Sequence, residues 1–446
     1  MTENTGSPSR REFIGAAAAI GAAGAVGAMV SGCSGGVMDR YADYHYPPLL
    51  ESAPDGPVLK AGLIGCGGRG TGAAVQFVSA GPNLEITALA DVFQDRLDSC
   101  RNRLIRQREI EVADENCFVG FDAYQKLIDS GVDVILLATP PYFRPEHFAA
   151  AINARKHVFM EKPVAVDPVG ARSVMGSARK ADGIGLSVVT GTQRRHQKDY
   201  LEVFRNITRG MIGEIVSANC YWNGRVPWYN RRQQGWSDME AMLRDWVNWT
   251  WLSGDHIVEQ HVHNIDVINW FTGMHPVKAV GFGSRIRRET GDQFDNLSVD
   301  FVYENGIHMH SMCRQISGCS DNVSEYVRGT KGYSNCVNTL FDYNGELIRE
   351  YIYELDEDGN PERLGNQAYN QEHVDLVTAI RTNNPINEAE NTAISTMTAI
   401  MGRTSCYLGR EMTWEEMMNS DMKIGPDRVE MGSSDYRAVI PVPGTP

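Results

Sequence analysis

Gly65, Gly67 and Gly70 stand at G-x-G-x-x-G spacing directly after the apolar run from Val58 to Ile64. In such a turn the first glycine permits the bend and the second lets backbone approach a pyrophosphate. The third lets the following helix pack on the strand. The segment Thr71 to Ser79 reads as that helix, and its N-terminus would offer free N–H groups and a positive dipole end to phosphates. Gly68 and Arg69 lie inside the same turn and are counted with it. The next strand, Leu84 to Ala90, stops at Asp91, whose carboxylate can accept ribose hydroxyls. No basic residue follows Asp91 directly, which favours NAD over NADP. A glycine turn in some other α/β fold is the alternative, and the strand before it and the acid after it argue against that.

These residues need a sheet to hold them. From Val58 to about Gly183 the chain alternates strand and helix: Val132 to Ala138, Phe143 to Ala154, His157 to Met160, Gly170 to Ala181. That alternation implies a parallel, doubly wound sheet, with ligands bound beyond the carboxyl ends of the strands. Asp91, Thr139 and Lys162 all fall at such ends and should face one crevice. After Thr190 the composition shifts. Seven tryptophans cluster (Trp222, Trp228, Trp236, Trp246, Trp249, Trp251, Trp270), and alternating stretches follow at Val277 to Arg285, Leu297 to Tyr303 and Ile307 to Met312. They predict an open, mostly antiparallel sheet covered on one face by helices, with late helices at Glu372 to Arg381 and Thr392 to Leu408. Most tryptophans are core residues. We expect two or three of these to line a cleft, Trp246 among them as a substrate contact.

A chain of 446 residues holds about two domains with full cores. Its net charge of −14 argues against nucleic acid and against a broad basic membrane face. The expected organisation is a signal over 1–33, a linker over 34–57, a dinucleotide domain over 58–183 and a C-terminal domain over 184–446. Ser9-Arg10-Arg11-Glu12-Phe13-Ile14 matches the twin-arginine export pattern, and Gly15 to Val30 is a weakly apolar, small-residue stretch. Val30-Ser31-Gly32-Cys33 resembles a bacterial lipoprotein cleavage box. Cys33 is then either the acylated first residue, which the pattern favours, or incidental to ordinary cleavage nearby. The other cysteines read as core thiols, because folding before export argues against a disulfide framework. Twin-arginine export moves folded proteins, so a nicotinamide cofactor would travel inside the protein to the periplasm.

Several landmarks together resemble the glucose-fructose oxidoreductase, inositol dehydrogenase and rhizopine-catabolism family (Gfo/Idh/MocA). They are the glycine turn, Ala138-Thr139-Pro140 with His147, Glu161-Lys162-Pro163, Thr192-Gln193-Arg194-Arg195, and Glu259 to Asp266. The resemblance covers nearly all of the chain after the linker. It implies α/β architecture: an N-terminal Rossmann doubly wound parallel sheet and a C-terminal α/β domain with a large open, mostly antiparallel sheet, through which members often form homo-oligomers. It implies oxidation or reduction of sugar and cyclitol hydroxyls with NAD or NADP. In the family pattern a lysine and a histidine stabilise the alkoxide and take the hydroxyl proton, and here these fall on Lys162 and His263. Glu259 stands where an aspartate is usual. It would share a face with His263 if the segment is one helix. Thr139, His147 and Glu161 are expected beside the cofactor, and Arg195 and His261 beside the substrate. His256, Glu259, His261 and His263 lack standard zinc spacing, so no metal is expected. Fold and export signal also resemble NAD-dependent N-acetylgalactosaminidases. A redox-assisted glycosidase, cleaving by transient oxidation and elimination, is therefore the alternative to a dehydrogenase.

Overall fold

The computed structural model describes residue 41, residue 44 and residues 46–445, apart from 356–358 and 363. The expected export signal and Cys33 lie outside the described residues. Two sheets organise the rest. The first holds β1 (Leu59–Ile64), β2 (Leu84–Asp91), β3 (Cys117–Val119), β4 (Val134–Leu137), β5 (His157–Met160) and β6 (Val188–Thr190), all parallel, in the order 3-2-1-4-5-6. This is the doubly wound order whose ligand crevice opens where the strand order reverses, between β1 and β4. The runs that form it are mostly apolar because helices bury both faces: β4 is buried at every position, and Lys60 and Glu85 are exposed near the starts of β1 and β2.

The helices after β1, β4 and β5 keep the expected places, with ends displaced by one to three residues. α1 (Gly68–Ser79) starts inside the glycine turn, ahead of Thr71. α2 (Gln94–Arg108) follows β2, and α3 (Arg144–Asn153) follows β4. α4 (Pro168–Gly183) begins at a proline, and Asp167 caps it by accepting the Gly170 N–H at 2.8 Å.

The second sheet runs β14 (Leu347–Glu350), β13 (Thr339–Asp342), β12 (Gly332–Ser334), β11 (Asn322–Gly329), β7 (Ile215–Gly224), β10 (His308–Gln315), β9 (Asn296–Tyr303), β8 (Pro276–Ser284) and β15 (Met412–Thr413). Only β7 and β10 pair in parallel. Along β9 burial alternates at every residue, so Leu297, Val299, Phe301 and Tyr303 face the helix layer.

The boundary drawn at residue 183 cuts through the first unit. β6 lies beyond it, and the later helix Leu364–Arg381 returns to place Val374, Leu376 and Val377 in the same core as Leu63, Phe77 and Leu136. The linker also needs correction over its described part. Tyr44 packs its ring 4.8 Å from Phe204 and 6.0 Å from Trp270. Ala53 is buried and donates its N–H to Ala80 O at 2.8 Å, and Arg381 donates to Pro54 O at 2.6 Å. Aromatic burial and backbone bonding make this stretch a strap rather than a tether.

Candidate active site

The glycine turn divides its work as the spacing predicts. Gly65 has φ +99°, and a Cβ there would sit 2.7 Å from the backbone of Ala138 and Thr139. A Cβ on Gly70 would collide with the Gly65 carbonyl oxygen, whereas one on Gly67 or Gly68 would meet nothing within 4 Å. Two glycines therefore make the turn and two leave the open face of a cradle. That cradle floors a cavity of about 700 Å³ lined by Gly65, Asp91, Thr139, His147, Trp228 and Trp246, among others.

The cavity's polar groups fit a dinucleotide. Asp91 accepts the N–H of Cys66 at 2.7 Å and of Phe93 at 2.9 Å, which aims its carboxylate along the crevice. Burial raises its pKa, while those bonds and Arg96 oppose the rise. Thr139 Oγ1 and His147 Nδ1 are buried without a hydrogen-bond partner, so both await one from a ligand. His147 stacks on Tyr124 with centroids 4.1 Å apart, and burial pushes its pKa down to about 3.

Arg69 and Glu161 are brought together, but with each other. The Arg69 guanidinium bonds Glu161, donates to Gln76 Oε1 at 2.8 Å and lies over the Tyr369 ring at 5.0 Å. Glu161 thereby supports the turn and the end of β5 rather than lining the cavity, whereas Arg69 does line it. Glu161 also presses on Gly191, where a Cβ would strike its carboxylate.

Lys162 follows the end of β5, and its Nζ donates to the Glu259 carbonyl at 2.6 Å and lies 3.5 Å from Glu259 Oε1. The segment around Glu259 is not one helix. α5 (His256–Glu259) stops, the backbone kinks at Gln260, and α6 (Val262–Thr272) begins. The expected shared helical face of Glu259 and His263 is thus corrected: Glu259 turns to Lys162. His263 is 7% exposed, and its pKa is held well below the ordinary imidazole value by burial, then by the charges of Lys162 and Arg194. A neutral histidine beside an ammonium is a base with a ready electrostatic partner.

Two expected substrate contacts are corrected. Arg195 is buried in a two-pronged bond to Asp266, at 2.8 and 2.9 Å, with its guanidinium 5.3 Å from the Trp270 centroid. Nε and Nη2 are both taken by this pairing, which anchors the guanidinium on Asp266. His261 is fully buried, with Nε2 2.7 Å from Ser311 Oγ and Nδ1 3.4 Å from Asn264 Oδ1. It is a satisfied core residue, one step of the kink away from the crevice. Of the tryptophans, Trp228 and Trp246 line the cavity, Trp251 and Trp270 are core, and Trp222 stacks on His263. Trp222 stands among the seven clustered tryptophans with no separate role expected for it. Its signal is the period of two along β7, on the same face as buried Ala218 and Cys220.

The buried histidines give this protein an acid limit. His147 and His261 are held at about 3, and His263 and His373 well below their ordinary value, in each case chiefly by burial. Their stabilisation is complete above the unfolded value of about 6.5 and is lost as pH falls toward the folded values. We expect the thermal midpoint to drop between those limits, each group costing up to about 1.4 kcal/mol per pH unit. A midpoint that stays level down to about pH 4 would contradict neutral burial.

Two family descriptions match this chain: an oxidoreductase family with an NAD-binding Rossmann fold over residues 59–190, and the GFO/IDH/MocA C-terminal domain over residues 200–334. Inositol 2-dehydrogenase of Salmonella typhimurium is 27% identical over 214 residues, 48% of this chain and 54% of that protein. The chain thus spans about half the length of that relative. The 2,7-anhydro-N-acetylneuraminate hydratase of Escherichia coli is 23% identical over 324 residues, 70% of this chain and 77% of that one. The fold is that of scyllo-inositol dehydrogenase from Lactobacillus casei, solved with NAD(H) and scyllo-inositol: TM-score 0.59, 19% identity, 80% of this chain and 99% of that one.

Proposed function

The chain belongs to the Gfo/Idh/MocA oxidoreductase family, and from there we propose that it oxidises a hydroxyl of a sugar, cyclitol or glycoside with a retained NAD. The observation that carries this is the pairing of Lys162, just after β5, with the Glu259 segment that leads into buried His263, whose pKa the Lys162 charge helps to lower. When bound, NAD supplies the hydride acceptor. His263 takes the hydroxyl proton on a ring nitrogen as the carbinol C–H leaves as hydride. Lys162 holds the developing alkoxide, and its bond to Glu259 fixes where the ammonium points. The cradle at Gly67 and Gly68, with Asp91, Thr139 and His147, holds the dinucleotide.

Retention of the cofactor follows from the twin-arginine pattern, which supports export of a folded, loaded protein, with Cys33 as a lipid anchor in the periplasm. A second substrate would then reoxidise the nicotinamide in place. Purified protein should release nicotinamide on denaturation and turn over without added NAD. Mass analysis of products from a panel of sugars and glycosides tests the chemistry: a keto-sugar or lactone supports it. A cleaved glycoside with no net change in NAD supports the redox glycosidase instead, a reading with which the likeness to an anhydro-sugar hydratase is compatible. Protein without nicotinamide that needs NAD for each turnover would refute retention.

The uncovered face of the second sheet supports a homo-oligomer. Val280, Phe282, Met312 and Tyr326 point away from the helix layer and are 50%, 72%, 37% and 40% exposed. Such a row is an open apolar surface that a second copy can bury. Sedimentation should give more than one chain, and Phe282→Asp should shift it to a smaller species. A wild-type monomer would rule the assembly out.

A further inference from the structure

We propose that Trp222 is the positioning residue of His263: the indole face, rather than a carboxylate, sets the plane of the imidazole and keeps water from it. This rests on His263 as the base of the proposed oxidation.

Each of the neighbouring histidines is fixed by hydrogen bonds. His261 is held by Ser311 and Asn264, His256 lies 2.7 Å from Asp255, and His196 bridges Asp375 at 2.7 Å and Glu388 at 3.0 Å. Among the described residues no hydrogen bond reaches the ring of His263. The carboxylate four residues before it, Glu259, is turned to Lys162. What the ring does have is Trp222, stacked at 18° with centroids 5.7 Å apart. The unprotonated ring nitrogen thus stays free to take the substrate's proton, while the plane is still defined.

β7 explains how the indole arrives there. Ala218, Cys220 and Trp222 share the helix-covered face, and Cys220 Sγ lies 3.6 Å from His261 Nε2. One period further on, the same face meets His263. Trp222 pairs across the sheet with Cys313 on β10, which is buried, and with Val323 on β11, which is 49% exposed. The indole is half-buried, between a buried neighbour on one strand and an exposed one on the other. The charged groups facing His263 are Lys162 from the end of β5 and Arg194 from the turn Gln193–His196, with Glu259 on Lys162. Both cations disfavour the imidazolium. An indole face alone would favour it slightly, so the indole's main effect on titration is exclusion of water.

The test uses Trp222→Ala and Trp222→Phe in the full-length protein, with unfolding curves to show that both fold. In Trp222→Ala we expect kcat to fall about 100-fold with KM changed less than about 3-fold, because a loosened base loses alignment rather than affinity. Trp222→Phe should recover most of that loss. In the resting protein, with no sugar present, the His263 imidazole should titrate about one unit higher in Trp222→Ala. Histidine-selective NMR reads this, with His263→Asn for assignment. An unchanged titration, or a loss confined to KM, overturns the proposal; the latter would make Trp222 a substrate contact. Because the titration needs no substrate, a shifted imidazole in a protein that oxidises no sugar would sink the activity and leave the pairing standing.

Discussion

Lys162→Met should lower the rate of hydride transfer at least about 10³-fold while nicotinamide stays bound. Methionine keeps the stem and its packing and removes only the ammonium. The side chain is 11% exposed, so little water is at hand to replace the lost charge beside a developing alkoxide. The Glu259 carbonyl loses its 2.6 Å donor in the same step. A second consequence has a definite sign. The Lys162 charge helps to hold the His263 pKa down, so its removal raises that pKa, and the acid limb of any residual activity moves to higher pH. The cradle lies on the other side of the β4 end and should be untouched, so nicotinamide released on denaturation should match wild type. Single-turnover nicotinamide absorbance measures the rate. Wild-type rates in this variant would remove Lys162 from the chemistry.

Gly70→Ala should abolish cofactor binding by breaking the turn, and Gly67→Val should abolish it by filling the cradle. The two failures look different. At Gly70 the new methyl meets the Gly65 carbonyl oxygen and comes within 3.2 Å of Ala138 Cβ. Gly65 cannot retreat, because its own φ of +99° and its contact with Ala138 and Thr139 fix it. The start of α1 must tilt, and its free N–H groups leave the phosphates. Overpacking of this kind costs about 1–3 kcal/mol of stability, and affinity for NAD should fall at least about 100-fold as the anion site disperses. At Gly67 a side chain has open space, so the unloaded protein should unfold at the wild-type midpoint and still reject NAD. Isothermal titration with NAD and an unfolding curve for each variant separate the two cases. Normal binding by Gly70→Ala would show that helix and turn do not need their close approach.

The sequence alone fixed whatever depends on neighbours along the chain. The glycine turn, Asp91 at the end of β2, Thr139 after β4 and Lys162 after β5 were legible because strand ends and turns are set by local backbone chemistry. Alternation of strand and helix then forced a parallel sheet, and with it a crevice at those ends. Parts of the second sheet were less legible. β7 alternates Ser217, Asn219 and Asn223 with Ala218, Cys220 and Trp222, but small and polar residues make that period of two a weak hydrophobic signal. The strap from Tyr44 to Pro57 has no periodicity at all, because its order comes from Phe204, Trp270 and Arg381, all distant in sequence.

Tertiary structure decided which of several plausible side chains reach the crevice. Arg195 was expected at a sugar, but its Nε and Nη2 are held by buried Asp266. Arg69 lines the cavity from the phosphate turn with its guanidinium anchored on Glu161. His261 and His263 are two residues apart and equally suited to take a proton. A kink at Gln260 turns the first to Ser311 in the core and the second to Trp222 at its edge. Residue types and spacing carry the chemistry a chain can do; the direction of each side chain depends on contacts with strands that lie far away along it.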